Sequence, residues 1–137
     1  MTVRELVPGE ETETFNRVLL GGYEFTHPVQ QALSLLENES PGVRRYLALV
    51  EDEPAAVATL TEHDGTAYLA GAATLPTLRG LGAQTALIQA RLADVAQSCH
   101  LVTVTTAFAS RSQQNLEKNG FRLAHIKISW VPRGSLG

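Results

Sequence analysis

The chain has 137 residues, 44% hydrophobic and 18% charged, a composition typical of one globular domain with a buried core. The net charge of −3 argues against nucleic acid as a main partner, and no apolar run is long enough to cross a membrane. A single cysteine, Cys99, excludes an internal disulfide, and the N-terminus lacks a signal-peptide core, so we expect a cytoplasmic protein.

The N-terminal part of the chain predicts a short strand and two helices. Residues 2–7 favour a strand, and acidic residues followed by spaced apolar residues indicate a helix over 10–20. Gly21-Gly22 is predicted to stop that helix. Apolar residues at helical spacing over 29–36 indicate a second short helix.

Three strands follow in succession. Residues 46–50 and 55–61 predict an antiparallel hairpin, since both are apolar runs of strand length with a turn between them. Asp64-Gly65 is a hairpin-turn signature, and it leads to a third strand over 66–74. Tyr68 in that strand is assigned to the core.

A β-α-β unit is predicted next. The run LPTLRGLGAQ contains a glycine turn and opens a helix that continues to Gln97, with a buried stripe of Ile88, Leu92, Val95 and Cys99, flanked by Leu87. The β-branched run over 101–106 favours a buried strand parallel to the one before the helix.

The C-terminal part predicts one more helix and one more strand. Ser110 or Ser112 caps a short helix that closes at Asn119-Gly120, and residues 121–131 form the last strand. The element order is therefore β-α-α-β-β-β-α-β-α-β. Residues 1–133 are expected to form a single domain, whereas residues 134–137 resemble the remnant of an expression tag.

The glycine turn predicts an anion-binding site. Gly80 and Gly82 permit a tight turn and a close approach of a ligand, and the first amides of the following helix have no intrahelical partner. Arg79 adds a positive charge. A P-loop is excluded by the missing G-K-[ST], and a dinucleotide loop is disfavoured because Thr85 replaces its third glycine. A plain connecting turn is the alternative.

The element order, LPTLRGLGAQ and the later SQQNLEKNGF together resemble the GNAT superfamily of acyl-CoA-dependent N-acyltransferases, over about residues 2–131. The [R/Q]-x-x-G-x-[G/A] loop of that family is matched by Arg79 and Gly82, while Gln84 replaces the usual small residue. The resemblance implies an α/β (α+β) fold with a mixed, mostly antiparallel central sheet. It also implies acetyl-CoA as the co-substrate, without a metal.

The resemblance implies that coenzyme A is held at three places. The backbone amides of the glycine turn would bind its pyrophosphate, and the end of the preceding strand would pair with its pantetheine arm. Two polar residues of the late short helix would contact the arm, although helix capping is an equal alternative for Ser112. The implied cofactor-binding residues are Ala72, Ala73, Thr74, Arg79, Gly80, Leu81, Gly82, Ala83, Gln84, Thr85, Ser112 and Asn115.

The catalytic residues are not identified by the resemblance. Many members carry a tyrosine as general acid where this chain has Leu116, and residues 101–106 lack the carboxylate that some members place there. The weak candidates are Tyr23, Glu62 and His63, for which a solvated surface role is the alternative.

The function implied is direct transfer, in a ternary complex, of an acetyl group from acetyl-CoA to a primary amine of a small molecule, with a protein N-terminus or lysine as the alternative acceptor. The alternative is a weak or inactive acyl-CoA-binding sensor with the same fold. Because little chain is left for the seventh strand of most members, we also expect a homodimer.

Overall fold

A computed structural model describes residues 1–23, 40–104, 117–118 and 120, with Tyr23 described in its backbone only. The chain divides into two compact units, Met1–Thr105 and Thr106–Gly137. The predicted helix over 29–36 and the predicted last strand over 121–131 lie outside the described residues. In the second unit, Glu117 and Lys118 are helical and Gly120 has φ of +94°, as expected for a glycine that follows a helix.

Within the described residues of the first unit, five strands form one sheet in the order β1-β2-β3-β4-β5. The first four strands pair antiparallel, and β4 and β5 pair parallel. This confirms the expected mixed, mostly antiparallel sheet. The strands are β1 (Thr2–Glu5), β2 (Arg44–Val50), β3 (Glu53–His63), β4 (Thr66–Thr74) and β5 (Leu101–Val104).

The described residues of this unit also form two helices and one short turn. Helix α1 covers Thr12–Tyr23, a 3₁₀ turn covers Pro76–Leu78, and helix α2 covers Ala83–Val95. Because α2 connects β4 to the parallel strand β5, the predicted β-α-β unit is confirmed.

The two helices pack on opposite faces of the sheet. On β2, Leu47 belongs to the core under α1, whereas the neighbouring Tyr46 donates a hydrogen bond to Asp94 of α2. Successive strand residues point to opposite faces, so α1 and α2 enclose the sheet between them. The core under α1 consists of Leu6, Phe15, Val18, Leu19, Leu47, Val57 and Ala73, with Leu49 and Leu75 packed against it.

The predicted stop at Gly21-Gly22 is wrong, because α1 continues through both glycines to Tyr23. Their role is close packing. A Cβ on Gly21 would lie 2.8 Å from Leu75 Cδ2, and a Cβ on Gly22 would lie 2.8 Å from Ala73 Cβ and 2.9 Å from the backbone of Thr74. The end of α1 therefore touches the end of β4 almost backbone to backbone.

The buried stripe of α2 is confirmed at Leu87, Ile88 and Val95, whereas Leu92 and Cys99 are only partly buried. The helix ends at Val95, so Cys99 lies in the turn beyond it and is only partly buried. Arg91 occupies the stripe instead, 1% exposed, and donates from Nε to the Leu87 carbonyl and from Nη1 to the Thr59 carbonyl. Tyr68 was assigned to the core and is 51% exposed.

The hairpin between β2 and β3 offers a test of the fold. Its two turn residues, Glu51 and Asp52, have φ of +50° and +64°, a conformation that suits Asn-Gly far better. We expect the double substitution Glu51→Asn and Asp52→Gly to raise the free energy of unfolding by about 1 kcal/mol. Urea denaturation measures the change, and an unaltered midpoint would contradict the turn geometry.

Candidate functional site

The glycine turn has the geometry that its residues predict. After β4 ends at Thr74, the 3₁₀ turn leads to Gly80 with φ of +79° and Gly82 with φ of +85°. Both values lie in the left-handed region, which disfavours residues with a Cβ. Gly82 is the N-cap of α2, and the helix follows directly at Ala83.

The space above the turn is open. A Cβ built on Gly80 or Gly82 would meet no atom within 4 Å. The first intrahelical hydrogen bond runs from the Ala86 amide to the Gly82 carbonyl. The amides of Ala83 and Gln84 lie N-terminal to it, where the helix offers no backbone acceptor. With no acidic residue in the first turn, the N-terminus of α2 presents amides and a positive dipole end to an open surface.

Four residues connect this turn to the rest of the unit, and we call them the strand-end cluster: Gly22, Thr74, Arg79 and Gln84. Gln84 Nε2 donates to Thr74 Oγ1 at 2.9 Å. The Arg79 guanidinium donates from Nη2 to the Gly22 carbonyl at 3.0 Å and from Nε to the Thr74 carbonyl at 3.4 Å. The cluster ties the turn to the ends of both β4 and α1.

A β-bulge interrupts β4 shortly before Thr74. Gly71 and Ala72 together lie opposite the single residue Ala58 of β3. A bulge breaks the regular ladder and redirects backbone groups, and such bulges are over-represented next to active sites. The parallel pairing with β5 covers only Thr66–Leu69, so the part of β4 with the bulge has no strand of the described residues on that side.

The structure brings two of the three implied cofactor segments together. Residues 72–74 at the end of β4 and residues 79–85 around the turn lie side by side through the strand-end cluster. Ser112 and Asn115 lie outside the described residues. The substituted Gln84 uses its amide to hold Thr74, a contact that the sequence did not predict.

The weak catalytic candidates are dispersed. Glu62 pairs with Ala67 on β4, which places it about 23 Å along the strand from Thr74 at roughly 3.3 Å per residue. His63 follows it as the exposed last residue of β3, with Nε2 3.2 Å from Asp64 Oδ2. Tyr23 alone adjoins the strand-end cluster, because it directly follows Gly22 at the end of α1.

Glu62 has a structural partner instead. Its Oε1 accepts a hydrogen bond from Arg44 Nη1 at 2.7 Å, and Arg44 also binds Glu5 at 2.8 Å. The hydrogen bond to Glu5 holds the pKa of the Arg44 guanidinium above its usual range. Burial, with the hydrogen bond to Asp94, raises the pKa of the Tyr46 phenol, which therefore remains a donor.

The adjacent Arg45 has a different environment, which the sequence analysis missed. It points to the α1 face, where Nη1 binds Thr12 Oγ1 at 3.3 Å and Nη2 binds the carbonyls of Val7 at 3.1 Å and Glu10 at 2.9 Å. Strand alternation is the signal that separates the two arginines, since neighbours in a strand face opposite sides.

Within the described ranges there is no group of three or more His, Cys, Asp or Glu residues that could hold a metal ion. Nor does any helix of that part of the chain have the length and apolar character needed to cross a membrane. The described site therefore consists of backbone amides and carbonyls with a few polar side chains around one open turn.

Comparison with known sequences assigns the chain to a family. The profile of the acetyltransferase (GNAT) family matches residues 11–121, which is most of the chain. The chain belongs to the GNAT family. A search of curated protein sequences found no match.

Solved structures share the GNAT fold over nearly the whole chain. The aminoglycoside N-acetyltransferase AAC(6')-Iy, in complex with the bisubstrate analogue CoA-S-monomethyl-acetylneamine, is 15% identical with a TM-score of 0.72, covering 96% of this chain and 97% of that one. A transcriptional regulator from Bacillus halodurans C-125 is 20% identical with a TM-score of 0.70, covering 95% and 98%. An acetyltransferase from Trypanosoma brucei is 18% identical with a TM-score of 0.68, covering 96% and 98%. At these identities the likeness concerns the fold alone.

Proposed function

We propose that this GNAT protein transfers an acetyl group from acetyl-CoA to a primary amine of a small molecule. One observation carries the proposal: the open glycine turn at the N-terminus of α2, fixed by its hydrogen bonds to the end of β4. Pyrophosphate is doubly charged and needs several N–H donors in a small space, which a helix N-terminus with glycines supplies.

The pantetheine arm has a place beside the turn. The edge of β4 from Ala70 to Thr74 continues beyond the described pairing with β5. An amide-containing arm can bind to such an edge as an additional strand would, through backbone N–H and C=O groups. With the pyrophosphate at the turn and the arm along β4, the thioester would lie near the bulge at Gly71 and Ala72.

The chemistry requires orientation more than a strong acid or base. The neutral amine attacks the thioester carbonyl, the C–N bond forms and the C–S bond breaks, and the leaving thiolate takes up the proton that the amine loses, directly or through water. Backbone N–H groups redirected by the bulge would stabilise the negative charge that develops on the carbonyl oxygen. Holding amine and thioester together can lower a barrier by about 7–11 kcal/mol.

The acceptor is proposed to be a cationic small amine. The region 21–45, from which we infer that the acceptor pocket is built, contains Glu24, Glu37 and Glu39, whose charges would attract an ammonium group. The ligand of the AAC(6')-Iy structure joins CoA to an acetylneamine, and this supports a polyamine-like acceptor for a protein of the same fold.

The proposal is tested by thiol release. Purified protein is incubated with acetyl-CoA and a panel of amines that includes aminoglycosides, polyamines and a lysine-containing peptide, and free thiol is measured with a chromogenic disulfide. We expect release that depends on both the protein and one class of small amine. Acetyl-CoA binding without release from any amine would favour the sensor function, which the engagement of Glu62 by Arg44 also suits.

A further inference from the structure

The end of α1 and the glycine turn are joined by one side chain. Arg79 Nη2 donates to the Gly22 carbonyl at 3.0 Å, across a sequence separation of 57 residues. The same guanidinium reaches the Thr74 carbonyl through Nε at 3.4 Å. Arg79 therefore bridges the last turn of one helix and the last residue of the strand that precedes the turn.

The position of the Gly22 carbonyl at the end of a helix favours a hydrogen bond from a positively charged donor such as arginine. The last carbonyls of a helix have no intrahelical donor and lie at the negative end of the helix dipole. Helix α1 has no basic residue of its own in its last turn. The guanidinium of Arg79 supplies that charge from the turn.

The contact is built into the packing of both elements. The absence of a side chain at Gly22 lets α1 approach Thr74 so closely that a Cβ there would lie 2.9 Å from both its N and its O atoms. A shift of the turn that moves Arg79 thus removes a hydrogen bond from a helix end already in contact with the strand.

We propose that Arg79 is a positioning residue that couples coenzyme occupancy of the glycine turn to the order of the C-terminal turn of α1. The inference rests on the proposed function. A pyrophosphate held by the amides of residues 79–85 selects one conformation of a turn whose two glycines allow several. The guanidinium reaches the Gly22 carbonyl from that conformation, so binding at the turn stabilises the end of α1.

The consequence concerns the acceptor. The chain leaves α1 at Tyr23 and continues into the segment 24–39. Coupling between two sites is reciprocal in free energy, so an acceptor that stabilises the end of α1 also tightens coenzyme binding. Arg79 would then make the two substrates cooperate without touching the reacting atoms.

The test is hydrogen exchange measured by mass spectrometry, with and without saturating acetyl-CoA. In the wild-type protein we expect the peptide that ends α1 to exchange about fivefold more slowly when acetyl-CoA is bound. In Arg79→Ala, the amides of the glycine turn should still be protected from exchange at a higher acetyl-CoA concentration. The amides at the end of α1 should show no added protection. Arg79→Lys tests whether the positive charge alone is sufficient. A lysine keeps the charge but lacks the planar guanidinium that donates to two carbonyls at once, so the coupling should again be lost.

Two further variants provide the controls. Arg17→Ala removes an exposed arginine from α1 itself and should retain the coupling. Gly22→Ala tests the same contact from the helix side, since its Cβ displaces α1 from Thr74 and should abolish the coupling.

Calorimetry on the same samples distinguishes the outcomes. No binding heat in the wild-type protein would overturn the proposed function, and with it this inference. Binding heat without slower exchange at the end of α1 would overturn the inference alone. Full coupling in Arg79→Ala or in Arg79→Lys would also overturn it, since the bridge would then be unnecessary.

Discussion

Replacing Gly82 with tryptophan is expected to weaken acetyl-CoA binding at least ~100-fold, equivalent to about 2.7 kcal/mol of binding free energy. The substituted side chain would start in the open space above the N-terminus of α2, where the proposed pyrophosphate lies. It would also place a bulky residue at φ of +85°, with a cost in stability of about 1–2 kcal/mol. Calorimetric titration measures the affinity, and thermal unfolding measures the cost.

A matched control exists elsewhere in the chain. Gly9 has φ of +82°, and a Cβ there also meets nothing within 4 Å. Gly9→Trp therefore carries a similar strain in the loop before α1, remote from the glycine turn. It should lose similar stability and keep its affinity for acetyl-CoA. Equal loss of affinity in both variants would mean that strain, and not occupation of the site, explains the effect of Gly82→Trp.

The second large effect is expected at Arg45. This side chain is 6% exposed, it binds two carbonyls and one hydroxyl, and its guanidinium carbon lies 5.5 Å from the centre of the Phe15 ring. Arg45→Met keeps most of the stem but removes the side-chain donor of the Glu10 carbonyl and one of the two donors of the Val7 carbonyl, which also accepts from the Glu10 amide. We expect a loss of about 3 kcal/mol in the free energy of unfolding, measured by urea denaturation.

Arg44 is the natural comparison because it precedes Arg45 on the same strand. Its side chain is 32% exposed and binds the carboxylates of Glu5 and Glu62, so solvent and salt screen its interactions. Arg44→Met should cost no more than about 1 kcal/mol, and added salt should reduce that cost. A salt-independent loss at Arg44 as large as that at Arg45 would contradict the different roles of the two residues.

The part of the fold governed by local chemistry could be predicted from the sequence. Asp64-Gly65 forms the two-residue turn that its dipeptide indicates, with φ of +48° and +78°. The strand over 66–74 has the predicted bounds, and the glycines of the turn before α2 adopt the left-handed conformations that glycine permits. In each case the residues that determine the structure are neighbours in the chain.

Contacts between distant residues could not be predicted in this way. Gly21-Gly22 has the local signal of a helix end, but its role is set by β4, more than fifty residues later. Arg91 lies at a position where its charge predicts exposure, yet the Thr59 carbonyl accepts its guanidinium inside the core. A lone sequence does not contain the register that brings such pairs together.

The candidate site also has a part that neighbouring residues predict and a part that depends on contacts between distant residues. Its backbone part follows from Gly80, Gly82 and the start of a helix, all within one short run. The side-chain part depends on contacts between distant residues: Glu62 binds Arg44, 18 residues away, through the pairing of β2 with β3. Likewise, Gln84 departs from the family pattern in sequence, and only the fold gives it Thr74 as a partner.

The most direct test of the central claim is calorimetric titration of the wild-type protein with acetyl-CoA, beside Gly82→Trp and Gly9→Trp. The account predicts saturable binding heat in the wild-type protein and in Gly9→Trp, and none in Gly82→Trp over the same concentrations. The absence of binding in the wild-type protein would contradict it, and the glycine turn would then be a connection that serves only the fold.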